Sequence, residues 1–189
     1  MPGKFLCVGV ALAVLSLCGC SVNVKKGNEG EDKKVDIKTP FGEIHVDNGA
    51  DVRDTGLPLY AGARLKPKNR EGEEKSANVN ISTSAFGLKV VAVEYESDDP
   101  PDKIAAFYQK ELRKYGTVLE CHSSHRGHWG PDHDHGAEEL KCEGDNRGNN
   151  IELKAGTRNN QHIVAIEPQA KGTDFALVYV STRGKEDTI

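Results

Sequence analysis

Hydrophobic and polar residues alternate along much of this chain, as they do in β-strands that bury one face. The segments 35–37 and 44–46 alternate on either side of Pro40-Phe41-Gly42, which predicts a hairpin over residues 35–46. The same pattern predicts further strands at residues 78–82, 88–95, 117–121, 151–155, 162–168 and 174–181. Four of these strands follow residues 100–115, and the short turns 156–161 and 169–173 that join the last three indicate an antiparallel meander.

One segment, residues 100–115, has helical periodicity instead. Its apolar residues recur at spacings of three and four and form one face: Ile104, Phe107, Tyr108, Leu112 and Tyr115. Asp98 or Asp99 can cap its start, and Gly116 follows its end. The sequence therefore predicts an α+β fold, a mainly antiparallel sheet packed against this principal helix, with the hairpin at its N-terminal side.

The first residues have the composition of an export signal. Lys4 precedes a 13-residue apolar run, too short for the roughly 20 residues that span a bilayer. The run ends in Leu17-Cys18-Gly19-Cys20, which resembles the lipobox of bacterial lipoprotein precursors. The resemblance implies that a signal peptide, residues 1–19, is removed and that Cys20 carries the lipid. The alternative is an ordinary secretory signal with incidental cysteines.

The resemblance also suggests a place in the cell and a domain plan. Ser21, rather than Asp, follows the lipidated cysteine, which by similarity to enterobacterial sorting favours the outer membrane, facing the periplasm. Residues 20–34 are polar and charged and are predicted to be the lipidated cysteine and a flexible tether. A single domain is predicted over residues 35–184, followed by a tail, residues 185–189.

Residues 47–76 are rich in Asp, Gly, Pro, Lys and Glu and are predicted to be mainly loop, with one apolar cluster, GLPLYAGA, packed into the core. This cluster and the later PPDKIAAFYQKELRKYG resemble a module of uncharacterised bacterial envelope lipoproteins. In that module a Leu-Pro-x-Tyr-Pro-Gly-Ala segment precedes a Phe-Tyr-x-x-x-Leu helix. Ala61 stands where the module has proline. The resemblance covers most of residues 35–184 and implies a small α+β domain, but no reaction.

Charge and cysteine content narrow the function classes. Loss of Lys4 reduces the 25 basic residues to 24 against 29 acidic ones, a net charge of −5, which argues against a nucleic-acid partner. Of the five cysteines, only Cys121 and Cys142 remain after the leader and the lipid account for the others. In an oxidising envelope a disulfide between them is the expected state. Free thiols and thiolate metal ligands are the alternatives.

A histidine-rich loop, residues 122–139, is the one candidate for metal chemistry. It holds five of the seven histidines, namely His122, His125, His128, His133 and His135, with Asp132 and Asp134 between the last of them. Imidazole is a ligand for Zn²⁺, Cu²⁺ and Ni²⁺. The alternative is an exposed hydrophilic insertion in a β-hairpin.

No catalytic motif accompanies this loop: the chain lacks a Gly-x-Ser-x-Gly elbow, a phosphate-binding glycine loop and a dinucleotide fingerprint. The sequence therefore predicts a membrane-anchored, non-enzymatic binding or structural module with no required cofactor. Its partner would be an unidentified envelope protein or glycan. The alternative function is metal binding, with Zn²⁺ or Cu²⁺ held by the loop.

Overall fold

A computed structural model describes residues 21–25, 34–47, 49–67, 76–124, 139–142 and 146–184. These residues form one antiparallel sheet of ten strands and one α-helix, α1 (Pro101–Leu112). The strands are β1 (Ser21–Lys25), β2 (Lys34–Thr39), β3 (Gly42–Asp47), β4 (Arg64–Leu65), β5 (Ser76–Thr83), β6 (Gly87–Ser97), β7 (Leu119–Ser123), β8 (Asn150–Thr157), β9 (Asn160–Pro168) and β10 (Thr173–Arg183).

The strand order is β1-β2-β3-β5-β6-β10-β9-β8-β7, and the short β4 pairs with β6 beyond the end of β5. Sheet therefore dominates: the fold is mainly β with one helix packed on the sheet, rather than a balanced α+β fold. The predicted meander after the helix corresponds to β7 to β10, and the predicted hairpin to β2 and β3. None of the helices in the described ranges is long and apolar enough to cross a bilayer.

The main core lies between the helix and one face of the sheet. Ile104, Tyr108 and Leu112 of α1 are fully buried and belong to one cluster with apolar residues of β6, β8, β9 and β10. The predicted apolar face of the helix is thus the face that packs. The cluster GLPLYAGA contributes Leu57, which is 2% exposed, whereas Leu59 is 44% exposed. The hydroxyl of Tyr108 holds this segment by donating to the carbonyl of Pro58.

The opposite face carries a second apolar row that runs through many strands in register. Buried residues of β9 and β10 form its centre, with Leu88, Val90 and Ala92 of β6 packed against them. Val90 opposes Val79 of β5, which in turn opposes Val46 of β3, so the row continues across the sheet.

That register explains the clearest departure from the sequence prediction. Residues 21–25, assigned to the tether, form the edge strand β1. Val22 opposes Ile37 and Val24 opposes Val35, so the two valines extend the apolar row by one strand. Only two apolar residues alternate here, and a long charged segment follows them, so the sequence alone did not indicate a strand.

The helix also differs at both ends from its predicted span. Its N-cap is Pro100, without a capping side chain. Asp99 instead accepts hydrogen bonds from the hydroxyl of Tyr60 and the ammonium of Lys103. The α-helix ends at Leu112, and the last turn, Arg113–Tyr115, is a 3₁₀ helix. Within the predicted loop 47–76, a second 3₁₀ turn, Val52–Thr55, and β4 are ordered elements.

Candidate ligand-binding site

A cavity of about 490 Å³ opens beside the helix, at the end of the sheet where β8 turns into β9. The turn Arg53–Gly56 forms one wall and Tyr115 a second. The sheet supplies Lys89, His162 and Tyr179, from β6, β9 and β10 respectively. Its volume falls in the range of roughly 300–1,000 Å³ that small-molecule sites occupy.

His162 is the central polar group of this site. It is 7% exposed, and its Nδ1 atom lies 2.9 Å from the carbonyl oxygen of Thr55. Since a carbonyl only accepts, Nδ1 carries the proton and Nε2 of the neutral ring is left as an acceptor. Burial lowers the pKa of His162 below 6.5; the Thr55 bond opposes this fall, and the positive charge of Lys114 adds to it. The ring is therefore neutral at pH 7.

Aromatic rings hold the imidazole on two sides. Tyr115 stacks on it with ring centroids 3.5 Å apart and planes at 14°, and Tyr179 lies at 4.9 Å and 39°. Tyr115 is itself fixed, because its hydroxyl donates to the carbonyl of Gly56. The site is thus a rigid aromatic cluster rather than a set of independent surface residues.

Gly56 makes this close packing feasible. It caps the turn Val52–Thr55 in the left-handed conformation, with φ +72°. A Cβ atom at this position would lie 2.7 Å from the Tyr115 hydroxyl and 3.2 Å from Cε1 of His162. The position therefore requires glycine for both its backbone and its surroundings.

The charges around the cavity are mostly positive. Lys89 places Nζ 5.8 Å from the centroid of Tyr179, and Lys114 places Nζ 5.1 Å from that of Tyr115, both within cation–π range. Lys114 also donates to the Gly56 carbonyl, at 3.2 Å. Arg53 lines the wall too, although its guanidinium makes two hydrogen bonds to Asp51. Asp54 is the one carboxylate among the described residues of the lining.

The residues singled out from the sequence lie elsewhere. Cys121 and Cys142 form a disulfide, with Cα atoms 5.4 Å apart, within the bridging limit of about 7 Å. His122, at the base of the enclosed segment, places Nε2 3.2 Å from a carboxylate oxygen of Glu120. Within the ranges that the structure describes, no three His, Cys, Asp or Glu side chains form a metal-binding group. The remaining candidates, His125, His128, His133 and His135, lie outside the described residues, as does Cys20.

Sequence reasoning missed the cavity because its residues have ordinary structural explanations. Tyr115 belongs to the apolar helix face, and His162 stands at the start of a predicted strand. One signal was available: Gln161 and His162 introduce two polar side chains immediately before the apolar run 163–166. Both are buried in the structure. Comparison with protein-family models, curated proteins and solved structures finds no match to this chain.

Proposed function

We propose that this chain is a lipid-anchored binding protein of the bacterial envelope, and that the cavity around His162 holds a small organic anion with a ring face. The observation that carries the proposal is the cavity itself, with aromatic walls and cationic side chains around one neutral imidazole. The resemblance of GLPLYAGA and PPDKIAAFYQKELRKYG to a module of uncharacterised bacterial envelope lipoproteins supports the envelope part of this proposal.

The ligand class follows from the chemistry of the walls. Tyrosine rings suit a flat or apolar ring face, and the ammonium of Lys89 suits a carboxylate or phosphate. The neutral Nε2 atom of His162 can accept one hydrogen bond from a hydroxyl group. A charged sugar combines all three features and is a glycan-derived ligand of the kind that the envelope offers.

Binding rather than catalysis fits the same lining. The described lining residues include no serine or cysteine that could act as a nucleophile. Asp54 is the single carboxylate among them, so a mechanism that needs two carboxylates, one as acid and one as base, lacks the second. The proton on Nδ1 of His162 is held by a backbone carbonyl. We therefore propose a non-enzymatic module that needs no cofactor.

Titration of the purified protein with glucuronate and phenyl phosphate, against neutral glucose, tests the site. We expect saturable binding of an anion, with shifts of the His162 and Tyr115 NMR signals. Lys89→Gln should weaken it roughly tenfold, about 1.4 kcal/mol. Lys110→Gln, at an exposed helix position, is the matched control and should leave the affinity unchanged. If neither anion saturates, or if Lys89→Gln has no effect, the cavity is not the site.

The anchor is tested separately. Mass spectrometry of the protein from bacterial membranes should find an N-terminal Cys20 carrying diacylglycerol and an amide-linked acyl chain such as palmitate. Two or more chains are what stable anchoring requires. Cys20→Ala should leave an unlipidated precursor, and cell fractionation should place the wild type in the outer membrane. A wild-type N-terminus without lipid would refute the anchor.

The Cys121–Cys142 disulfide favours a second candidate function. It joins the two ends of the histidine-rich segment, which lowers the entropy cost of ordering ligands around an ion. We propose that His133 and His135, with one or two of His122, His125 and His128, bind Zn²⁺ or Cu²⁺. Affinity should fall below pH 6.5, as protons compete for imidazole. A variant with all five histidines changed to Ala should lose this affinity; equal affinities would show that the segment is merely hydrophilic.

A further inference from the structure

Three positions, Ser21, Phe41 and Phe86, lie at one end of the sheet. Ser21 begins β1 opposite Lys38, next to the turn that carries Phe41. That turn leads into Gly42, which opposes Thr83, the last residue before the turn that carries Phe86. The register of four successive strands therefore brings both phenylalanine turns to the end at which β1 starts.

Both phenylalanines are exposed, and both sit on turns fixed in the same way. Phe41 is 83% exposed and Phe86 44% exposed. In the first turn, the Thr39 hydroxyl donates to the carbonyl of Gly42 and accepts from the amide of Phe41. In the second, the Thr83 hydroxyl donates to the carbonyl of Phe86 and accepts from its amide. Each turn thus holds its aromatic residue in place before any contact is made.

Covalent geometry ties this end of the sheet to the proposed anchor. Consecutive Cα atoms are about 3.8 Å apart, so a lipid on Cys20 brings Ser21 to the headgroup layer whatever the conformation between them. No flexible tether intervenes, because the described strand starts at Ser21 itself. Lys38 opposes Ser21 and Arg183 opposes Gly87, so a basic side chain lies beside each turn. Arg183 is exposed and suits anionic headgroups, whereas Lys38 pairs with Glu43 at 3.3 Å, an exposed ion pair of the kind that is worth little in water.

We propose that this end of the sheet is a membrane-contact surface, in which Phe41 and Phe86 enter the interface of the bilayer that holds the Cys20 lipid. The inference rests on the lipid anchoring in the proposed function. It adds that the domain lies on the bilayer in one orientation, with the turns that carry Phe41 and Phe86 facing the lipid. Apolar side chains, phenylalanine among them, bury at the boundary between headgroups and acyl chains when a protein lies on a membrane surface.

Depth-dependent fluorescence quenching tests the orientation. The lipidated full chain, with its single native tryptophan replaced by Trp129→Phe, receives one new tryptophan by Phe41→Trp or Phe86→Trp. Each protein is reconstituted into vesicles of phosphatidylethanolamine and phosphatidylglycerol with brominated acyl chains. Leu65→Trp is the matched control: Leu65 is 59% exposed and opposes Tyr95, eight residues along β6 from Gly87, about 26 Å away.

We expect at least a twofold fluorescence loss for tryptophan at positions 41 and 86, and little loss at position 65. Co-flotation with the vesicles and far-UV circular dichroism are measured on every variant. Protein that floats with the vesicles but shows equal quenching at all three positions, or none, keeps its anchor and overturns the membrane-contact surface. Protein that does not float at all overturns the lipid anchor itself, and with it this inference.

Discussion

The imidazole of His162 lies flat against the ring of Tyr115, with the two centroids 3.5 Å apart. His162 comes from the first residues of β9 and Tyr115 from the end of the helical segment, so this contact joins the sheet to the helical layer of the fold. The contact also buries the imidazole of His162, which disfavours its protonated, charged form. The free energy of unfolding should therefore depend on pH, because protonating this buried imidazole is unfavourable in the folded state.

Acidification should therefore destabilise the protein through His162. Its pKa is lowered in the folded state by burial, against 6.5 in an unfolded chain, so the unfolded state binds more protons below pH 6.5. Stability from this group is fully present above pH 6.5 and is lost as the pH falls towards the folded pKa. Urea unfolding at pH 7.5 and 5.5 measures the loss, and His162→Gln should remove its own part of it. An NMR-titrated pKa above 6.5 for His162 would contradict the prediction.

Gly56→Ala should be more destabilising than Gly62→Ala. Both glycines have positive φ, so either substitution costs roughly 1–2 kcal/mol of backbone strain. A Cβ at position 62 meets nothing within 4 Å, whereas one at position 56 meets Tyr115 and His162. We expect Gly56→Ala to cost about 1–3 kcal/mol more, as overpacking of a filled site typically does, and to weaken ligand binding. Equal unfolding free energies for the two variants would show that the aromatic cluster adapts freely.

Removing Lys154 should be costly although it is a charged residue in an otherwise ordinary strand. Its side chain is 2% exposed, and Nζ lies 2.7 Å from a carboxylate oxygen of Glu152, which is 14% exposed. Loss of one member of a buried pair typically costs about 3–5 kcal/mol. Lys154→Ala should lower the free energy of unfolding by that amount in chemical denaturation.

Two further variants show whether the loss of stability in Lys154→Ala comes from the broken ion pair. Lys110→Ala, at an exposed helix position, should change stability by no more than about 0.5 kcal/mol. Changing Glu152 and Lys154 together to Met should recover much of the loss, since an apolar pair leaves no buried charge uncompensated. A double variant as unstable as Lys154→Ala would mean that the lysine stem, not the ion pair, matters.

The disulfide should stabilise the domain mainly by restricting the unfolded chain. Cys121 and Cys142 enclose a loop of 22 residues, for which the chain-entropy model gives about 3 kcal/mol. Changing both cysteines to Ser should lower the unfolding free energy by roughly that amount, and dithiothreitol should have the same effect on the wild type. If reduction leaves the unfolding midpoint unchanged, the bridge is not formed in solution.

Local patterns in the sequence predicted the parts of the fold that depend on neighbouring residues. The helix face with Leu112, the hairpin around Pro40, and the meander all follow from periodicity and turn residues. β1 was missed because its two valines gain their strand character only from pairing with Val35 and Ile37. Tertiary pairing decides such a short segment, and propensity does not.

The sequence predicted the disulfide, which lies away from the cavity, but it did not predict the cavity itself. The pairing of Cys121 with Cys142 follows from compartment and count, but the cavity unites residues more than a hundred positions apart, such as Thr55 and His162. Lys154 likewise has the sequence context of a solvent-facing strand residue. Its burial depends on tertiary neighbours such as Ile163, which it opposes on β9 and which is itself fully buried, and is not encoded in local alternation.

The antiparallel pairing of β1 with β2 has a mechanical consequence. If Cys20 carries the proposed lipid, a chain that is pulled from the opposite end of the sheet is loaded along the axis of β1. The inter-strand hydrogen bonds lie across that axis, so the pairs from Ser21↔Lys38 to Lys25↔Lys34 share the load in shear rather than opening one after another. The first strand would then resist a force on the anchored end of the domain by sharing it among all five pairs at once.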